Sequence, residues 1–291
     1  MKIKTRDGIL REAEDGQEKT LQLLYGTVWG RMLLKPLTRP TLSVLAGKLL
    51  STGCSCVLIK PFIRKNRIDM QIFEPVKYKS YNEFFARKIL PGMRPVDTEP
   101  AHLISPCDSK LTVLPVTENL RFCLKQTEYT VASLLKEEGL AAEFQDGYVL
   151  IFRLTVDDYH RYCYPDSGSK EENVRIPGKL HTVNPIANDY FPVYKENSRE
   201  YCILNSDHFG KMVMMEVGAL LVGKIVNHHQ KVQVERGQEK GYFQFGGSTV
   251  VLLVKKDTVC MDADLCRNSA EGIETVVKFG EKIGTAFKDV I

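Results

Sequence analysis

The absences in this sequence narrow its function first. Among eight cysteines there is no CxxC pair, and only Cys54 and Cys56 stand close together. That spacing argues against a cysteine zinc site and fits free thiols in a reduced, cytosolic setting. His228 and His229 are adjacent, so on a strand they face opposite ways, and no metal site is expected. The first eighteen residues are polar and acidic, without the apolar run of a secretory leader. No low-complexity tract or strict repeat appears, and the GxSxG elbow of the α/β-hydrolases is missing. Acidic residues are absent from Lys19 to Ile68, where nine Lys or Arg occur. That stretch carries +9 against a net charge of +4, so the remainder carries −5. A local basic excess of this kind points to an anionic surface.

What is present is ordinary in bulk: 291 residues, 43% hydrophobic and 26% charged. This suits one large domain, or one domain with an appendage. From Leu21 the spacing predicts a helix with Leu21, Leu24, Val28 and Met32 on one face, interrupted at Pro36 and Pro40. A second helix is expected from Thr41 to about Leu50. Arg31, Lys35 and Arg39 form a basic row, and Trp29, the only tryptophan, suits a lipid headgroup layer. Lys48 argues against a spanning helix, so residues 1–75 are expected to associate with a membrane surface. A helix over Tyr81–Arg94 should follow, capped by Ser80 with Glu83 three residues on and stopped at Pro91-Gly92.

From about Ile104 short β-type runs alternate with turn residues: Lys110–Val116, Gly147–Leu154, Asn173–Leu180, Met212–Val226, Tyr242–Phe245 and Thr249–Val254. One helix is expected near Val131–Glu138. The fold class is α+β, with N-terminal amphipathic helices packed on a mostly antiparallel β domain over 76–291. The paired runs at 213–226 and 242–254 resemble lipoyl-type half-barrel strands around a Gly-Ser corner.

Three polar sites interrupt this β sequence. Asp108 lies in Ser105-Pro-Cys-Asp, before a strand. His160 lies in Asp157-Asp-Tyr-His-Arg-Tyr-Cys163 and is a candidate proton carrier. Ser248 follows Gly246 and Gly247, where the missing Cβ atoms let the backbone bend. Ser, His and Asp form the set needed to activate a hydroxyl, which leaves open a lipid-ester hydrolase, a carrier module, or attack by Ser248 on its own preceding carbonyl.

FFARKILPGMRP (84–95), SPCDSK (105–110), LKQTEYTVASLL (124–135), DYHRYCYP (158–165), GKLHTVNP (178–185), MEVGALLVGKI (215–225) and above all RGQEKGYFQFGGSTVV (236–251) together resemble the phosphatidylserine decarboxylases, pyruvoyl-dependent membrane enzymes. The resemblance implies self-cleavage between Gly247 and Ser248. It gives a β chain, 1–247, and an α chain, 248–291, that begins with a pyruvoyl group made from Ser248. Phosphatidylserine would be the substrate, phosphatidylethanolamine and CO₂ the products, and the cytoplasmic face of the cell membrane the location. A homodimer is implied, and nucleic acid is not. By the same resemblance Asp108 supports self-cleavage, and His160 lies beside the pyruvoyl group. The family's second box histidine is Cys163 here, and the glycine after SPxD is Ser109. Either His160 serves twice or another base substitutes, His181 first and a Cys163 thiolate after it.

Overall fold

The computed structural model describes residues 2–12, 18–124, 127–220, 224–244 and 248–287. Its centre is an 11-stranded sheet, antiparallel except where Lys2–Lys4 runs parallel to Glu274–Val277. The middle strand, Ser248–Val254, pairs along its length with Gly210–Val217 on one side and Tyr148–Leu154 on the other. Beyond these lie Arg199–Ser206 and Ser109–Pro115.

The apolar run 250–254 has a two-sided explanation. Val250, Leu252 and Val254 enter one core, while Val251 and Leu253 enter another on the opposite face. A strand covered on both faces loses the alternation that a half-exposed strand would show. A second, three-stranded sheet of Ile225–Asn227, Glu239–Phe243 and Arg161–Cys163 contributes Phe243 and Tyr162 to the first core.

Glu18–Gly26, Val28–Leu37 and Pro40–Leu50 form successive helices. The expected break at Pro36 is corrected. Pro36 lies inside the second helix, and the chain turns at Thr27, whose hydroxyl accepts from Gly30 N at 2.9 Å. Gly30 is required there, because a Cβ would stand 2.3 Å from the Leu23 carbonyl oxygen. The expected apolar stripe divides at the same turn. Leu21 and Tyr25 are buried against the body with Leu34, whereas Val28 and Met32 face outward. Trp29 is 79% exposed, and Leu33, Leu45 and Leu49 are exposed with it. No single described helix is long and apolar enough to cross a membrane.

The helix expected over Tyr81–Arg94 spans only Tyr81–Phe85. Ser80 caps it as expected, but the Glu83 carboxylate accepts from Lys79 N rather than from Ser80. It ends early because Arg87 turns inward and stacks 4.3 Å from the Phe73 ring, while Ile89 bridges to Phe73 as extended chain. The run 212–226 is likewise two strands, Gly210–Val217 and Ile225–Asn227, and the expected 173–180 strand is confined to Val174–Ile176. The helix near 131 is two short ones, Val131–Leu135 and Glu138–Ala142.

Candidate active site

Ser248 opens the central strand opposite Leu154, and it is fully buried. Its hydroxyl has no hydrogen-bond partner among the described residues. Gly246 and Gly247 lie outside the described residues.

The chain beyond Leu154 makes a turn organised by Asp158. One carboxylate oxygen, Oδ2, accepts from Thr155 N at 2.7 Å and from Lys110 Nζ at 2.6 Å. This turn delivers His160 to the three-stranded sheet, where its carbonyl accepts from Phe243 N at 3.0 Å. The His160 Nδ1 sits 2.9 Å from the Asp158 carbonyl oxygen. A carbonyl only accepts, so Nδ1 carries the proton and Nε2 presents a lone pair. Nε2 is buried and unpartnered among the described residues, and the Phe85 ring packs 4.1 Å away. Burial, with the Arg87 charge nearby, pushes the His160 pKa down to about 3. The ring should therefore show no titration between pH 5 and 8 when its carbon-bound protons are followed by NMR. A transition near pH 6.5 would contradict this environment.

Asp108 is buried and spoken for. Arg94 donates from Nε to Oδ1 at 2.9 Å and from Nη2 to Oδ2 at 2.6 Å, and Phe279 N donates to Oδ1 at 2.9 Å. Burial opposes its ionisation, but Arg94, Lys278 and the Phe279 amide outweigh that and hold its pKa below the ordinary value. A groove of about 560 Å³ lined by Arg94, Lys278 and Lys282 opens on this side.

The backbone thus brings the three predicted segments together: Cys163 N donates to Pro106 O, and His160 O accepts from Phe243 N on the strand that leads toward Ser248. No hydrogen bond joins their side chains among the described residues: Asp108 bonds Arg94, while His160 Nε2 and Ser248 Oγ are unpartnered there. Cys163 is wholly buried, which pushes its thiol well above the usual range and disfavours a thiolate. His181 is buried near the same strand end: Asn197 Nδ2 donates to both the His181 and Gly218 carbonyls at 2.8 Å, and Gly218 follows Val217, the partner of Thr249. Its ring stacks 4.6 Å from Phe191, with Glu196 Oε2 3.6 Å from Nε2, and neither ring nitrogen has a hydrogen bond among the described residues. Burial lowers its pKa, partly offset by Glu196. Ser109 is buried at the start of its strand, and its hydroxyl has no partner among the described residues. His228 reaches Glu239 at 2.7 Å while His229 reaches Tyr164, and no group of three or more potential metal ligands occurs among the described residues.

Sequence reasoning missed one cluster. Glu216 and Lys240 are both 0% exposed and paired at 2.8 Å, with Asn227 between Lys240 Nζ at 2.7 Å and Glu200 Oε1 at 2.7 Å. The available signal was one glutamate inside the apolar run VMMEV, at an inward position of the strand.

Comparison with known proteins bears on this arrangement. A family model described as phosphatidylserine decarboxylase matches residues 81–285. Phosphatidylserine decarboxylase proenzyme 2 of Clostridium acetobutylicum is 48% identical over 275 residues, covering 94% of this chain and 93% of the relative. The phosphatidylserine decarboxylase proenzyme of Clostridium botulinum (strain Alaska E43) is 37% identical over 292 residues, covering 97% and 99%. That of Ruminiclostridium cellulolyticum is 39% identical over 272 residues, covering 91% of each. The chain belongs to the phosphatidylserine decarboxylase family, and it is accordingly a carboxy-lyase.

Proposed function

We propose that this chain decarboxylates phosphatidylserine to phosphatidylethanolamine at a membrane surface, using a pyruvoyl group made by its own cleavage between Gly247 and Ser248. The observation that carries this reading is the buried, unpartnered Ser248 hydroxyl at the head of the central strand, directly after the Gly-Gly pair. A hydroxyl so placed has given up water without gaining a partner among the described residues, which suits a nucleophile for the adjoining carbonyl. That these relatives are named as proenzymes supports the same reading. A pyruvoyl group at position 248 supplies a ketone that withdraws electrons as the carboxylate leaves, chemistry that no coded side chain provides.

The chain's own residues have separate tasks. His160 presents a neutral Nε2 that can accept or return a proton at the reacting carbon. Asp108, clamped by Arg94, supports self-cleavage by fixing the loop that bonds to the Cys163 amide. His181 remains the alternative base for that step. We assign residues 1–75 to membrane association and 76–291 to catalysis. The three-stranded sheet, taken with 210–217 and 248–254, is our candidate for the half-barrel around the cleavage corner. A homodimer on the cytoplasmic face of the cell membrane completes the proposal.

Denaturing mass spectrometry of freshly purified protein tests it. The expected result is two fragments, 1–247 and 248–291, the smaller with a blocked N-terminus that reacts with hydrazines. One continuous chain with an unmodified Ser248 in active protein would overturn it.

Docking on lipid is supported by exposed Trp29, Leu33, Leu45 and Leu49 beside exposed Lys35, Arg39 and Lys48. Each basic residue near an anionic leaflet contributes about 1 kcal/mol. Trp29 emission should shift to the blue with phosphatidylserine vesicles and return as salt is raised. An unchanged spectrum would exclude this face from lipid contact.

A further inference from the structure

We infer that Glu216 is the proton acceptor for the Ser248 hydroxyl during self-cleavage, and that Lys240 and Asn227 position it. This rests on the self-cleavage reading above and names the base that the Cys163 position leaves open.

The strand register supplies the first argument. Glu216 pairs with Val250, so Ser248 is its diagonal neighbour. Val250, Leu252 and Met214, the partner of Leu252, share the first core, and by the two-residue period Ser248 and Glu216 point to the same face. Diagonal neighbours lie about 7–8 Å apart, within reach of a long side chain.

Each of the two groups also has an oxygen to spare. Glu216 Oε2 accepts from Lys240 Nζ at 2.8 Å and from Asn227 Nδ2 at 3.1 Å. Glu216 Oε1 is buried with no partner among the described residues, as is Ser248 Oγ. Two oxygens without partners among the described residues thus share one buried face, one able to donate a proton and one able to accept it. Lys240 supplies the countercharge that lets a carboxylate exist there, and its ammonium lies 5.6 Å from the Tyr162 ring centroid. Lys240 also belongs to the strand that leads to Ser248.

Basicity favours Glu216 over the histidine. Burial raises the Glu216 pKa above the ordinary carboxyl value, with Lys240 opposing that in part. His160, held near 3, is a weak base. Glu200, Tyr162, Tyr164, Cys202, Lys170 and His229 are other titratable groups around the pair.

The step balances without a co-reactant. As Ser248 Oγ bonds to the Gly247 carbonyl carbon, its proton passes to Glu216 Oε1. The C–N bond then breaks, the Ser248 nitrogen takes that proton, and an ester and a free amine result with the carboxylate restored.

The test follows chain splitting in the full-length protein by denaturing mass spectrometry during cell-free synthesis. Glu216→Gln should split at least about 100-fold more slowly than wild type, the usual size of a general-base contribution. A buried pair replaced as a whole is commonly neutral for stability, so Glu216→Gln/Lys240→Met should keep the wild-type circular dichroism and melting temperature yet remain unsplit. Glu216→Asp, which keeps the charge pair but withdraws the carboxylate by one methylene, should split about 10-fold more slowly. Splitting within threefold of wild type in any folded one of these variants overturns the proposal, and Glu216→Asp decides it if the neutral variants do not fold. A wild-type chain that never splits would refute the self-cleavage reading itself.

Discussion

Replacing Ser248 by alanine is expected to leave one unsplit chain of 33.0 kDa with decarboxylase activity at background. The prediction separates chemistry from folding unusually well. Ser248 is fully buried, and its hydroxyl makes no hydrogen bond among the described residues, so removing it strands no partner among them. The methyl group of alanine fits where the serine Cβ already stands. The change in stability should stay below about 1 kcal/mol, because the usual penalty comes from an orphaned partner and none is created. Intact-mass analysis and a thermal melt on the same sample check both halves. Splitting at the same bond in the alanine protein would assign the cut to a host protease and sink the mechanism.

The second large effect is expected at Asp108. Asp108→Asn removes the charge that holds Arg94 by three hydrogen bonds and that Lys278 approaches at 3.5 Å. Breaking a buried pair by deleting one partner typically costs about 3–5 kcal/mol. Arg94 borders an open groove and can recover water, so the lower end, about 3 kcal/mol, is the expectation. Loss of the anchored loop should also slow splitting. The pH dependence has a definite sign. The folded pKa of Asp108 lies below its unfolded value, so its contribution is present above about pH 4 and lost as pH falls through the folded pKa. Urea midpoints of wild type and Asp108→Asn should therefore differ most at neutral pH and converge in acid. His160 adds acid lability of the same sign in both proteins, as pH falls from about 6.5 toward its folded pKa of about 3. A constant gap between the two proteins from pH 7 to pH 3 would contradict the assignment.

Which parts of this molecule could be read in advance follows from the range of the forces involved. The strand at 248–254 and the Ser80 cap were legible, since local composition and a single hydroxyl decide them. The helix end at Phe85 was not, because it depends on Arg87 finding Phe73, fourteen residues earlier in the chain. Pro36 misled by position: it forfeits its own N–H bond to the Met32 carbonyl, but only Leu37 follows it in the helix, so little helix remains to be interrupted. At the candidate site, Asp108, His160 and Ser248 were singled out by residue type together with the family resemblance. Their partners did not, because Arg94, Phe279 and the Asp158 carbonyl are chosen by tertiary contact. The Glu216–Lys240 pair spans 24 residues and joins two sheets, so only a lone acid in an apolar run marked it.

The position of Ser248 within the sheet has a consequence for what a cut there would do. The segment that starts at Ser248 supplies the middle strand, and further along it contributes Glu274–Val277 between Ser109–Pro115 and Lys2–Lys4. A nick ahead of it would sever the polymer without loosening the weave. Both pieces would travel together through any native column, parting only when the whole architecture melts, so the new chain end would be born already enclosed.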